Sequence, residues 1–101
     1  MTKDQEGKEI RRRVMAGNFE MTQHALERSY ERHISRAEVI HCAKWCIRHE
    51  WQEQQQTHLL VGHLNRHDTG GFTAVLRDNA VILTVFRRKL SKWEKKRAKR
   101  F

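Results

Sequence analysis

Between residues 21 and 35 the chain spaces His24, Arg28 and Arg32 at four-residue intervals, a proton acceptor followed by two permanent cations. On a helix of about 3.6 residues per turn each step drifts by roughly 40°, so the three side chains form a broad stripe on one side. Such a stripe can serve cleavage of a phosphodiester by the neighbouring ribose 2′-hydroxyl. Histidine is the side chain whose ordinary titration lies nearest neutral pH, which makes His24 the natural acceptor of the hydroxyl proton. The forked guanidiniums of Arg28 and Arg32 suit the charge that builds on the phosphate. Thr84 is the lone hydroxyl in the apolar run 80–86 and precedes Arg87 and Arg88, so a strand there can deliver a hydroxyl and a cation to the same phosphate. Threonine also fits a pleated sheet for purely structural reasons, and that reading stays open. Glu31, His63 and His67 are the candidates for a leaving-group acid, and no spacing selects one.

The stripe is poorly explained as a solubilising face. Glu27 lies one turn before Glu31 and Arg28 one turn before Arg32, like-charge pairs that each cost a few tenths of a kcal/mol. Glu31, three residues after Arg28, gives the nearest relief. A solvated charged face nevertheless remains the competing reading.

The elements that must position these groups can be read in order. Thr2-Lys-Asp-Gln5 resembles a capping box and predicts a helix to about Ala16, stopped by Gly17, with Ile10 and Val14 as a thin apolar stripe. So narrow a stripe implies a loosely docked or partner-dependent helix. Residues 19–21 are read as an extended segment, and Thr22 as the cap of the helix carrying His24, which docks through Ala25, Leu26, Ser29 and Tyr30 and ends near His33. Ser35-Arg-Ala-Glu38 is a second capping box, predicting a helix to about Glu50 with Val39, Ile40, Ala43, Cys46 and Ile47 on its core face. His41, Lys44, Trp45 and Arg48 then point away from that face. An outward Trp45 among cations can stack on a base, meet a protein or lie beneath the last helix. Residues 57–66 and 72–77 read as strands around a hairpin loop at 68–71, and Asp78-Asn79 as a second turn. The apolar run 80–86 predicts the central strand of a small antiparallel sheet, buried on both faces. Ser91-Lys-Trp-Glu94 is a third capping box, opening a basic helix or tail whose Lys95, Lys96, Arg97, Lys99 and Arg100 can collect polyanions.

The fold class expected is therefore α+β, with N-terminal helices on one face of the sheet. Its parts are a helical extension at 1–18, an α+β core at 19–88 and a basic C-terminal segment at 89–101. Residues 101 in number allow one domain with a modest core. The net charge of +9 favours a polyanionic partner, and RNA, DNA, an acidic membrane surface and an acidic protein all qualify. Arg87, Arg88, Lys44, Trp45, Arg48, Lys95, Lys96 and Arg97 are the candidate nucleic-acid-binding residues. Nothing in the run of residues spans a membrane or reads as a signal peptide, and Cys42 and Cys46 read as reduced packing residues, so a cytoplasmic protein is expected. A shared metal among His41, Cys42, Cys46 and His49 is disfavoured because Cys46 faces the predicted core and no paired C-x-x-C exists; no metal or other cofactor is expected.

Thr22-Gln-His24-Ala-Leu-Glu-Arg28, Glu31-Arg32-His-Ile-Ser35-Arg-Ala-Glu-Val39 and Ile82-Leu-Thr84-Val-Phe86-Arg87 together resemble a family of small domains of unknown function (number 4258). That family is similar in layout to the RelE and ParE toxins and to the wider barnase, EndoU and colicin ribonuclease superfamily. The resemblance covers roughly residues 19–88 and implies helices leading into an antiparallel sheet, a metal-independent RNase activity in some relatives, and His24, Arg28, Arg32 and Thr84 as matching positions. Phe86 stands where many relatives have a tyrosine. Other members of the superfamily act on partners without cutting RNA. Two readings therefore go forward: a toxin-like endoribonuclease, as in toxin-antitoxin pairs of mobile elements, and a noncatalytic protein that grips nucleic acid or an acidic antitoxin- or immunity-type protein.

Overall fold

Helix starts are set by side chains that satisfy the first free N–H groups. In the computed structural model, which describes residues 1–97, the Thr2 hydroxyl accepts from the Gln5 N–H while the Thr2 N–H donates to the Gln5 side chain, opening α1 (Lys3–Met15). Gly17 follows at φ +79°, a left-handed turn that glycine adopts without a steric penalty. The chain then runs through β1 (Phe19–Met21) to Thr22, whose hydroxyl accepts from the Ala25 N–H and starts α2 (Gln23–Glu31). Ser35 and Glu38 form a reciprocal capping box at the head of α3 (Arg36–Lys44). Strands β2 (Cys46–Gln52), β3 (Thr57–His63), β4 (Thr69–Leu76) and β5 (Ala80–Arg87) follow, and Ser91 and Glu94 cap each other at the start of α4 (Lys92–Arg97).

The fold is α+β, with a mixed sheet in the order β1-β5-β4-β3-β2. Successive strands from β2 to β5 pair antiparallel, but β1 lies parallel to β5, with Phe19 opposite Ala80 and Met21 opposite Ile82. The expected all-antiparallel sheet is thus corrected: residues 19–21 are a full edge strand, and β4, not β5, is central. β5 correspondingly leaves Leu83, Thr84 and Phe86 only half-buried.

The helix expected to run to Glu50 ends at Lys44. Cys46 and Ile47 continue the helical spacing of Cys42 and Ala43, but Cys46 pairs instead with Gly62 of β3 and Ile47 falls at a bulge before Arg48, the two strands being joined through a turn in which Gln56 takes φ +55°. Tertiary pairing overrides a local period that was real. The loop between β3 and β4 also shifts, because Thr69, Gly70 and Gly71 belong to β4; the turn is held by Asn65, whose side-chain oxygen accepts from the N–H groups of His67 and Asp68 at 2.8 Å each. A Cβ on Gly70 would stand 2.2 Å from the Phe86 carbonyl oxygen, so these glycines answer to close strand packing and not to a turn.

One apolar cluster unites the elements. Ile10 and Val14 of α1, Ala25 of α2 and Val39, Cys42 and Ala43 of α3 meet Leu60, Phe72, Ile82 and Val85 of the strands. Both α1 residues are fully buried, so this helix is docked into the common core despite its thin stripe. Opposed residues of an antiparallel pair share a face, which puts His49, Leu60, Phe72 and Val85 on the face bearing the cluster and Arg48 with Val61 on the other.

Candidate functional site

His24 sits in the first turn of α2, exposed, with no hydrogen bond or ion pair among the described residues. Arg28, one turn on, donates from Nη1 to Glu31 Oε2 at 2.6 Å, the partner its spacing suggested. Arg32 is the C-cap rather than part of the helix body, and its Nη1 reaches across to the Val85 carbonyl at 2.5 Å. Arg87 answers from β5: Nε donates to the Arg32 carbonyl at 2.8 Å and Nη2 to the His33 carbonyl at 2.5 Å, while Nη1 meets Asp68 at 2.9 Å. The two arginines form a crossed clamp between the end of α2 and the end of β5, in which Arg87 satisfies carbonyls at the helix C-terminus with positive charge and Arg32 a strand carbonyl. His33, in left-handed conformation at φ +52°, is held inside that clamp.

Thr84 lies opposite Thr73 and half-buried, and no hydrogen bond among the described residues joins it to His24, Arg28 or Arg32. The bridge between helix and strand is made by the neighbouring Val85 carbonyl. Helix docking also differs from expectation: Ala25 is buried, but Leu26 and Tyr30 are 41% and 81% exposed. With Ser29, His33, Ile34 and Ser35 they line a shallow cleft of about 390 Å³.

The other candidate cations divide by what already holds them. Arg88 pairs with the buried Glu94, and Arg48 with Glu50 and, at 3.6 Å, with Glu94. Lys44, Lys95 and Lys96 are exposed, and Arg97 closes α4; Lys99 and Arg100 lie outside the described residues. Trp45 caps the end of α3, its ring 6.2 Å from that of His41. Arg87, Arg88 and Lys89 with His67, Asp68 and Thr69 border a second cleft of about 390 Å³ at the end of β5. Of the groups considered for a leaving-group acid, Glu31 is engaged by Arg28 and His67 borders this cleft. The supposed helical row His41, Cys42, Cys46 and His49 is split between α3 and β2, and no group of three or more His, Cys, Asp or Glu among the described residues is arranged to hold a metal ion.

A constellation that spacing did not reveal lies under α1. Glu6 Oε1 is 3.1 Å from Nε2 of the fully buried His58, whose Nδ1 is 3.1 Å from Nε2 of His49. The two imidazoles stack at 5.3 Å between centroids, Trp51 tilts against His58 at 4.8 Å, and Lys3 lies over the Trp51 ring at 4.2 Å. Gly7 makes room: a Cβ there would fall 1.8 Å from the His49 ring. The available clue was a glycine inside a helix, where it costs about 1 kcal/mol relative to alanine and so calls for a packing reason.

Several groups of this kind make stability depend on pH. The hydrogen bond from His58 lowers the Glu6 pKa, and Arg12 and Arg13 hold Glu9 down to about 2. Burial opposes ionisation of Glu94, but its bonds from Ser91 and the charges of Arg88 and Arg48 prevail and lower it. Burial, then the neighbouring His58, lowers His49. For all of these the unfolded chain binds protons more readily than the native one, so stability rises with pH. The expected urea midpoint is level above about pH 6.5, declines first as the unfolded chain protonates the His49 position, and falls further below about pH 4.5 as carboxylates take up protons. Equilibrium unfolding followed by circular dichroism from pH 8 to 3 checks this; a midpoint that rises on acidification contradicts it.

No helix among the described residues is long and apolar enough to cross a membrane. No protein-family model matches the chain, and neither a curated protein nor a solved structure matches it.

Proposed function

We propose that this protein targets RNA in the cytoplasm and acts as a small, metal-independent, toxin-like endoribonuclease. The observation that carries the reading is the Arg32–Arg87 clamp, which fastens the end of the His24 stripe to the cleft bordered by Arg87, Arg88 and Lys89. An RNA backbone lying along that surface meets an unengaged imidazole at one end and a cationic cleft at the other, on a chain of net charge +9. His24 accepts the proton of a ribose 2′-hydroxyl, the 2′-oxygen attacks the adjacent phosphorus, and the 5′-oxygen leaves with a proton from water. Arg28 stabilises the phosphorane charge, whereas Thr84, opposite Thr73 on the other face of the sheet from Val85, is not placed to join it. The resemblance of residues 19–88 to the domain family related to RelE and ParE toxins supports the same reading, including the finer fold assignment.

A second reading has its own observation. Arg28 is paired with Glu31, Arg32 is committed to a carbonyl and Arg87 to carbonyls and Asp68, an arrangement suited to a noncatalytic surface that grips RNA or an acidic protein. Incubation with mixed RNA in EDTA separates the two. Fragments ending in 2′,3′-cyclic phosphate support cleavage, whereas intact RNA with salt-dependent binding supports the gripping surface. Absence of any salt-dependent RNA binding removes both RNA readings and leaves an acidic antitoxin- or immunity-type protein as the target.

A further inference from the structure

The Glu6, His58 and His49 chain fixes where protons sit. Glu6, kept ionised by its hydrogen bond from His58, can only accept, so His58 Nε2 carries hydrogen. With a single proton, on Nε2, His58 presents a bare Nδ1, and His49 then donates to it from Nε2. What remains is the Nδ1 lone pair of His49, which has no partner among the described residues and is not among the buried polar atoms.

His49 borders a cleft of about 220 Å³ with Lys8, Arg11, Cys46 and Arg48. The charges there are unequal. Arg48 is shared between Glu50 and Glu94, and Lys8 is paired with Asp4 at 3.2 Å on the surface. Arg11 meets only carbonyls, donating from Nε to Ala43 at 2.7 Å and from Nη2 to Lys44 at 3.0 Å. Its charge is therefore uncompensated by a carboxylate among the described residues, and Nη1 is left for another acceptor. The Cys46 thiol is occupied, donating to the Arg48 carbonyl at 3.3 Å, so the chemistry on offer is one lone pair beside one cation.

We propose that this cleft binds a protonated oxyanion, the monoanion of phosphate or of a phosphate monoester, whose P–OH donates to His49 Nδ1 while a P–O⁻ accepts from Arg11. The pairing is selective in a way that a simple basic patch is not. A fully deprotonated dianion has no hydrogen to give Nδ1, and a protonated His49 has no lone pair to receive one. The titratable and charged groups facing His49 are His58, Glu50 and Arg48 from the strands and Asp4, Lys8 and Arg11 from α1; burial, the largest influence, lowers its pKa and favours the neutral imidazole near pH 7. Glu6 and His58 act as positioning residues, since they choose the tautomer without touching the ligand. The site lies apart from the α2 stripe and does not rest on the ribonuclease reading.

Nitrogen-15 NMR of the imidazoles in the full chain tests this with inorganic phosphate as the probe, ionic strength being held constant with chloride. At pH 6.5 to 7 both His49 and His58 are expected as Nε2–H tautomers, and phosphate is expected to shift the His49 Nδ1 signal saturably, equally in wild type and His24→Ala. The Glu6→Ala variant frees the His58 tautomer and is expected to weaken phosphate binding by roughly fivefold, the worth of one lost hydrogen bond. His49→Gln is expected to abolish the saturable response. An Nδ1–H tautomer at His49 in the wild-type chain, or a His49 signal that phosphate moves only linearly or not at all, overturns the proposal without requiring any variant to fold.

Discussion

Replacing His24 with alanine is expected to slow RNA cleavage by about 10²- to 10⁴-fold, the usual contribution of a positioned general base, equivalent to roughly 3–5 kcal/mol of barrier. The side chain is exposed and makes no hydrogen bond or ion pair among the described residues, so its removal leaves the fold's contacts in place. RNA affinity and its salt dependence should therefore change little. Arg28→Ala makes the informative contrast. It removes one cation from the stripe and should lower the slope of log affinity against log salt by about 0.7, the value for one contact to a single strand. Arg32→Ala is a poorer probe because Arg32 also holds the Val85 carbonyl. Rates of labelled-RNA cleavage in EDTA, with binding measured at several salt concentrations, give both quantities. Equal cleavage by wild type and His24→Ala removes His24 from the mechanism even if RNA is the true target.

Phe72→Ala is expected to cost about 3–5 kcal/mol of stability, a large share of the roughly 5–15 kcal/mol that a domain of this size possesses. Phe72 is fully buried on the central strand, opposite Leu60 on one side and Val85 on the other. Truncation there removes the contact that spans β3, β4 and β5 and leaves a void that a sheet hydrogen-bonded on both sides cannot collapse to fill. At a urea slope of about 1–3 kcal/mol per molar, the unfolding midpoint should fall by about 1 M or more. Tyr30→Ala is the control: its ring is 81% exposed, and its loss should shift stability by no more than about 0.5 kcal/mol. A Phe72→Ala protein as stable as the control would mean that the core is not organised around β4.

Local chemistry made much of this structure readable. Each capping box names its donors and acceptors within four residues, so Thr2, Ser35 and Ser91 revealed their helix starts, as Thr22 did by a simple cap. Boundaries set by distant partners were hidden. Nothing near Trp45 says that Cys46 will pair with Gly62, and nothing near Phe19 says that it will lie beside Ala80. The stripe was legible as a spacing, but the fates of its members depended on other elements: a helix end put Arg32 against β5, and Arg87 turned back onto helix carbonyls. Exposure of Tyr30 likewise follows from α2 burying Ala25 and turning its other apolar side chains outward. The Glu6, His58 and His49 chain was the least readable, because its members come from α1, β3 and β2, and only the placement of Gly7 betrayed a neighbour.

The parallel pairing of β1 with β5 also sets an order of assembly. The hairpins β2–β3, β3–β4 and β4–β5 each join neighbours through short turns and can close early. β1 has no strand to join until β5 exists, and Glu6 has no His58 until β3 is in place. The N-terminal elements must therefore wait for the C-terminal half of the sheet, giving a late step governed by long-range closure. A chain halted before residue 80 would carry three paired strands with the His49–His58 contact and an edge segment with no strand to join, and a complete β5 is what converts these pieces into one folded unit.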